Sequence, residues 1–454
     1  MSTTPAMEWW RPAAPASPDT VAPCAPYAQW DLAPSASDAS VPGRLSFLAL
    51  MVFTFVLLVS PQSFLPALAP LHLALLAAGV AISAYMVERL SRDAVAIQGS
   101  ADLRIALALA VWAALTVPLS LWPSGSIDYL IDPFAKSLIL FWLLSRIVVT
   151  KERMQWTALC LVLMTTPVAL TGVWHLLSGV FVAQGITPGF GRIAGYEAPL
   201  TSNPNDLALT LNLILPLGVG LLLSVRKPIV RAVVLAIVAL DVLAIIATFS
   251  RGGFLTLLTI LFAYMVRLSR RHPAVFVVPL LLLLCIPLLP SGYLDQMSTI
   301  THIGLDPTGS AQERRDDLVA AGRLVLSNPV TGAGIGMNAL AMNAERGATW
   351  RMVHNVYLQY AVELGVPGLV LFLILLGRCI RKAGAARRQA ALVDRDGVLF
   401  RLAEAAQIGL IAFAVAAIFH PVGYNLYFFY LAGLTLGLEK AVASRDARQG
   451  ASIA

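Results

Sequence analysis

LALTLNLILPLGVGLLLSVRKPIVRAVVLAIVALDVLAIIATFSRGGFLTLLTILFAYMVRL, residues 207–268, decides the fold. It holds three apolar runs, 207–225, 229–249 and 253–268, each near the ~20 residues with which a helix crosses a bilayer. The first break, VRKPIVR, supplies Arg226, Lys227 and Arg231, whereas the second, FSRGGF, supplies Arg251 alone and almost no loop. Basic residues collect in short loops on the cytoplasmic side of a membrane, so the first break faces inward and the second outward. The whole chain agrees: it is 58% hydrophobic and 13% charged, with a mean hydropathy of +0.77. Soluble domains carry about 25% charged residues.

Working outward from this stretch, the same criterion gives about twelve spans, near 45–61, 65–87, 105–121, 130–149, 155–178, 207–225, 229–249, 253–268, 274–290, 358–378, 403–420 and 424–440. Their connections alternate. One set carries Arg89, Arg104, Arg146, Lys151, Arg153, Arg267, Arg270, Arg271, a run from Arg378 to Arg401, and Lys440. The other has no lysine, and its cations are Arg192, Arg251, Arg314, Arg315, Arg323, Arg346 and Arg351. The expected fold is therefore an all-α polytopic membrane protein with both ends in the cytoplasm. Residues 1–43, rich in Pro, Ala and Ser with no apolar run, are expected to be a disordered tail without a cleaved leader. Spans one to nine occupy 44–290, an outward loop subdomain 291–357, spans ten to twelve 358–440, and a second tail 441–454.

The pI of 9.4 does not signal nucleic acid, because the basic excess lies between spans. The cysteines Cys24, Cys160, Cys285 and Cys379 have neither disulfide nor zinc spacing. The GAGIG run at 332–336 follows no strand and faces outward, which excludes a nucleotide loop. The outward carboxylates form no pair suited to a divalent metal, so neither metal nor cofactor is expected.

What remains outward is arginine and histidine. Arginine offers a planar fork that grips phosphate with two bonds. Ser310 and Glu313 have capping-box spacing and open a helix whose apolar face reads as Leu318, Ala321, Val325 and Leu326. Arg314 lies one turn before Leu318, which favours it over its neighbour Arg315 as the inward-facing arginine. Arg346 and Arg351 read as solvated. His354 stands where the loop re-enters the membrane in HNVYLQYAVELGVPGL. A helix start disfavours a protonated imidazole and suits a general base; the alternative is that His354 and Asn355 only cap the helix. Trp350 and Tyr357 flank His354 and could stack on sugar rings. His72, His175 and His302 read as packing residues. Asp241 and Lys136, each inside a span, are either functional or paired with one another.

The arginine-led helix, NPVTGAGIG, HNVYLQYAVELGVPG, the SRGG turn and the R…G…NPN loop after the fifth span together resemble the O-antigen ligase and polymerase superfamily of bacterial envelope glycosyltransferases. The resemblance covers about residues 190 to 380. It implies transfer of a glycan from undecaprenyl pyrophosphate, in the outer leaflet of the inner membrane, to a sugar hydroxyl; in the ligase branch the acceptor is lipid A-core. By the same resemblance His354 is the base. Arg192, Arg251 and Arg314, with Arg315 beside it, hold the pyrophosphate, and Asn205, Asn355 and Tyr357 support them. The polymerase and a protein O-oligosaccharyltransferase share these motifs. A lipid-linked-sugar flippase or a transporter is the rival of another class, but no internal repeat is visible and the charges gather at the outer face rather than the midplane.

Overall fold

Inside lipid a backbone has no water to bond to, so an apolar run persists as a helix or a closed barrel. The structure, a computed structural model, describes residues 43–91, 100–181, 192–196, 198, 200–269, 298, 310–347 and 349–453. No strand forms among them. The helices are α1 (Arg44–Val59), α2 (Leu73–Leu90), α3 (Ala101–Thr116), α4 (Pro123–Tyr129), α5 (Lys136–Ile147), α6 (Lys151–Ser178), α7 (Pro204–Ser224), α8 (Pro228–Ala247), α9 (Arg251–Ser269), α10 (Ser310–Ser327), α11 (Asn338–Arg346), α12 (Val356–Val393), α13 (Val398–Ala416) and α14 (Leu426–Ile453). Among the described residues nine are long and apolar enough to cross a membrane: α2, α3, α6, α7, α8, α9, α12, α13 and α14. The protein is an all-α polytopic membrane protein. Two further expected spans are shorter helices, α1 with 16 residues and α5 with 12. The span expected at 274–290, the tail expected at 1–43 except for its last residue, His302 and the first part of the loop subdomain lie outside the described residues.

The bundle centres on α7, α13 and α14, the most buried of the spans. A core of Val168, Leu207, Leu211, Ala244, Ile245, Leu257, Ile260 and Ala412 joins α6, α7, α8, α9 and α13. The outer helices turn leucine and valine outward, among them Leu75, Leu76 and Val80 on α2 and Leu235 and Leu243 on α8. In water such a surface would aggregate; against lipid it costs nothing.

Three sequence expectations change. Lys136 pairs with Asp132, one turn before it, and Asp241 accepts from Thr165 Oγ1 at 3.1 Å. Each charge thus takes a near partner instead of reaching for the other. α12 and α14 run beyond their expected spans, because alanine- and arginine-rich sequence continues a helix without a breaker. And α10 is turned by about one residue, or ~100°: it buries Asp317, Ala320 and Ala321, leaving Leu318 54% and Leu326 84% exposed. The buried acid meets two arginines, and the alanines let α11 approach closely.

One irregularity positions the site. At Gly365, with φ 66° and ψ −172°, α12 breaks. A break at membrane depth is tolerated only if protein satisfies the freed backbone groups. The NPVTGAGIG loop does so. Ala333 N donates to Val362 O at 2.8 Å, Gly334 N to Glu363 O at 2.9 Å, and Val366 N to Pro329 O at 2.8 Å. Trp112 Nε1 donates to Leu364 O at 2.9 Å. The loop amides of Gly336 and Asn338 donate to the fully buried Glu363 carboxylate at 2.9 and 3.2 Å. The glycine run is thus an anion cradle for the chain's own glutamate.

A Cβ at Gly365 would strike the carbonyl oxygen of Val330, in a backbone region open to glycine alone. Gly365→Ala is expected to cost more than about 2 kcal/mol. Gly322→Ala, in α10 with open space around it, is expected to gain up to ~1 kcal/mol. Thermal unfolding of the detergent-purified variants measures both, and equal losses would contradict the clasp.

Candidate functional site

The site is built from backbone ends. Ser250 caps α9: its Oγ accepts from Gly253 N at 3.1 Å and donates to Asn205 Oδ1 at 2.8 Å. Arg192 reaches the same oxygen, Nη2 donating at 2.9 Å, while its Nε donates to Thr248 O at 3.1 Å. Asn203 caps α7 by accepting from Asn205 N and Asp206 N at 3.0 and 2.9 Å. One amide oxygen therefore ties the loop before α7 to the turn before α9. The SRGG glycines serve packing: a Cβ on Gly252 would lie 2.9 Å from Phe419 Cβ, and one on Gly253 would lie 2.6 Å from Ala208 Cβ.

Phe419 and His420 complete this floor from the turn between α13 and α14. The Arg314 guanidinium stands over the Phe419 ring, 5.6 Å from its centroid, a cation–π contact. His420 is buried, with Nδ1 2.9 Å from Ala416 O and Nε2 3.2 Å from Asn205 O. Burial, aided by the nearby charges of Arg314 and His354, pushes its pKa down to about 4. The neutral ring carries one proton and so donates to only one of the two carbonyls. Neither Phe419 nor His420 was singled out from sequence. His420 was visible merely as one outward histidine, and nothing local says that it meets Asn205, 215 residues away.

His354 precedes Asn355, which caps α12 by accepting from Leu358 N at 3.0 Å; Val356 N donates to Ala417 O at 2.7 Å. Burial holds the His354 pKa below the ordinary 6.5, and the charges of Arg314 and Arg351 push the same way while Asp317 opposes them. Near pH 7 the ring is neutral and can accept a proton. Arg192 is lowered to about 10, first by burial and then by Arg251 and Arg314, and it remains a full cation. Three arginines, two histidines and Asn205 thus converge at one end of the bundle.

The other expected residues fall elsewhere. Arg315 is exposed. The Tyr357 hydroxyl donates to Ala414 O at 2.7 Å and its ring lies against Phe372, so it braces α12 against α13. Arg346 and Arg351 are not solvated: Arg346 pairs with buried Asp317 and donates to Arg351 O, and Arg351 pairs with Glu313. Proximity to an acid buried by the turn of α10 draws them in. His175 takes the expected packing role, its Nδ1 2.8 Å from Ala194 O. His72 is exposed at the start of α2. No group of three or more His, Cys, Asp or Glu among the described residues is placed to hold a metal ion.

A family model described as O-antigen ligase matches residues 214–373. The match supports membership of the O-antigen ligase superfamily. The match takes in the SRGG turn, α10, α11, the glycine clasp and the start of α12. Arg251, Arg314 and His354 therefore lie in the stretch shared with the family, while Arg192, Asn205 and His420 are brought to them from outside it. A comparison with curated proteins gives no match. The match suggests a coarse function, that of a glycosyltransferase-like enzyme of glycan processing.

The loop that carries His354 rests on the Arg346–Asp317 pair, whose side chains are 7% and 6% exposed. Arg346→Ala strands a buried carboxylate and is expected to cost about 3–5 kcal/mol. Arg323→Ala, on the exposed side of α10, should stay within ~0.5 kcal/mol. Comparison of the two melting curves checks this; an Arg346 variant as stable as the parent would mean the pair does not hold the loop.

Proposed function

We propose that the protein is an O-antigen ligase of the bacterial inner membrane. It transfers O-antigen polysaccharide from undecaprenyl pyrophosphate to a sugar hydroxyl of lipid A-core, at a site facing the periplasm. What carries the reading is the cluster of Arg192, Arg251 and Arg314, the last of which also acts on one neutral histidine, His354. A cluster of fixed cations suits a pyrophosphate, and the family match supplies the glycan.

The step balances as follows. The free imidazole nitrogen of His354 takes the proton of the acceptor hydroxyl. The acceptor oxygen bonds to the anomeric carbon, the bond from that carbon to the pyrophosphate oxygen breaks, and its electron pair leaves on the pyrophosphate. The arginines are donors already in place where that negative charge develops, which lowers the barrier. Direct attack without a covalent enzyme intermediate inverts the anomeric configuration. The arginines neutralise charge without a metal.

The defining experiment combines purified protein, a defined undecaprenyl-pyrophosphate glycan and lipid A-core. His354→Ala should lower turnover by about 10²–10⁴ while donor binding persists, because the base acts on the acceptor. In the parent, protonation removes the base, so kcat/KM for the donor, which reports the free enzyme, should fall as pH drops, with a midpoint below 6.5, the direction in which burial and Arg314 move His354. An acid limb centred above 6.5, or an active alanine variant, overturns the assignment.

The arginines divide by geometry. Arg251→Lys keeps the charge but loses the fork, so it should fail nearly as badly as Arg251→Ala; the contrast extends to Arg192 and Arg314. Transfer assays on variants matched for membrane expression read it, and a fully active lysine variant would show that charge alone suffices.

A further inference from the structure

Asn338, the first residue of α11, stands between the glycine clasp and His354. Its backbone N donates to Glu363 Oε1 at 3.2 Å, and its Nδ2 donates to the same oxygen. Its Oδ1 accepts from Val353 N at 2.9 Å. Glu363 is fully buried, and Asn338 and Val353 are each 1% exposed. Val353 immediately precedes His354. No helix holds the described residues between α11 and α12, and this bond fixes the backbone immediately before the imidazole.

A buried carboxylate is a costly way to fill space. An asparagine amide can turn either end to a neighbour, because oxygen and nitrogen differ little in shape. Glu363 Oε1 accepts from both the backbone N and the Nδ2 of Asn338, and an acceptor oxygen cannot bond the amide oxygen. Opposite Asn338 it forces Nδ2 toward itself and therefore Oδ1 toward Val353 N. A glutamine in its place would offer a donor as well, and the amide could turn over and drop Val353. We propose that Glu363 and Asn338 are positioning residues for His354: the carboxylate fixes the orientation of the Asn338 amide, and that amide fixes the backbone one residue before the imidazole. The proposal rests on the reading of His354 as the base. Neither side chain touches substrate in it.

The test uses full-length Asn338→Ala and Glu363→Gln, purified and monodisperse, in the transfer assay with a pH–rate profile. Asn338→Ala keeps the backbone donors of Gly336 and residue 338 to Glu363 and removes the two side-chain bonds, to Glu363 Oε1 and from Val353 N, so it reads the same quantity if Glu363→Gln does not accumulate. A base displaced by about 1 Å loses up to ~100-fold in rate. The expected result is a fall in kcat of about 10- to 100-fold with the donor KM little changed. The acid limb should move up toward 6.5 as His354 gains water among its charged neighbours Arg314, Asp317, Arg351 and His420. Folded Asn338→Ala with parental kcat and an unmoved acid limb overturns the proposal, whatever its melting temperature. The two readings separate: an active His354→Ala sinks the base itself, whereas an inactive His354→Ala beside a parental Asn338→Ala sinks the positioning alone.

Discussion

Arg192 is held by neutral oxygens. Its guanidinium donates to Thr248 O and to Asn205 Oδ1, while the charges that shift it are those of Arg251 and Arg314. The rest of the site follows from that choice. Carbonyl oxygens fix where a cation stands without cancelling its charge, so a positive field survives for a ligand to meet. At the opposite end of the bundle the pattern differs. Asp102 takes Arg378 and Lys382 at 2.7 and 3.0 Å, and Glu404 lies 3.3 to 3.8 Å from Arg267, Arg387 and Arg401. Those cations are neutralised in place. Those basic residues hold helices together, whereas Arg192 is held in place with its charge intact.

The carboxylates near the site are deployed to keep that field. Asp317 and Glu313 engage Arg346 and Arg351, and Glu363 faces backbone amides and Asn338. Each acid steadies the loop that carries His354, and Arg192 is left to the neutral oxygens. The membrane sharpens this economy, because every non-helical stretch near the bilayer must bond to protein. The break at Gly365 is permitted by the glycine loop, and the loop is shaped by the break.

What sequence made legible was local. Span positions, the alternating basic loops, the capped start of α12 and the isolation of Arg251 all follow from runs of twenty residues or fewer. What it hid was relational. Arg314 was preferred over Arg315 through its spacing to Leu318, yet Leu318 is exposed and the inward face of α10 is Arg314, Asp317 and Ala321. Periodicity alone could not show that a buried ion pair turns the helix by one position. Arg346 and Arg351 read as solvated because their partner is a helix away. The GAGIG run could be excluded as a nucleotide loop, but its true ligand, Glu363, lies 27 residues beyond Gly336. That His420 and Phe419 join the site was hidden for the same reason.

In the proposed reaction, Arg314 joins the two halves of the chemistry. Its charge acts both on Arg192 and on His354. With the arginines unliganded, that charge helps keep His354 neutral but also makes it a weak base. An anion seated among Arg192, Arg251 and Arg314 would cancel part of the field, and the pKa of His354 would rise, since a nearby positive charge is one of the causes that lower it. The imidazole would then hold a proton more readily at the moment a donor pyrophosphate is in place, and less readily when the site is empty. Binding of the leaving group would thus strengthen the base. Asp317 limits the swing, because it already opposes Arg314 at His354 and is itself fixed by Arg346. The ion pair that steadies the loop therefore also sets how far the base can be tuned.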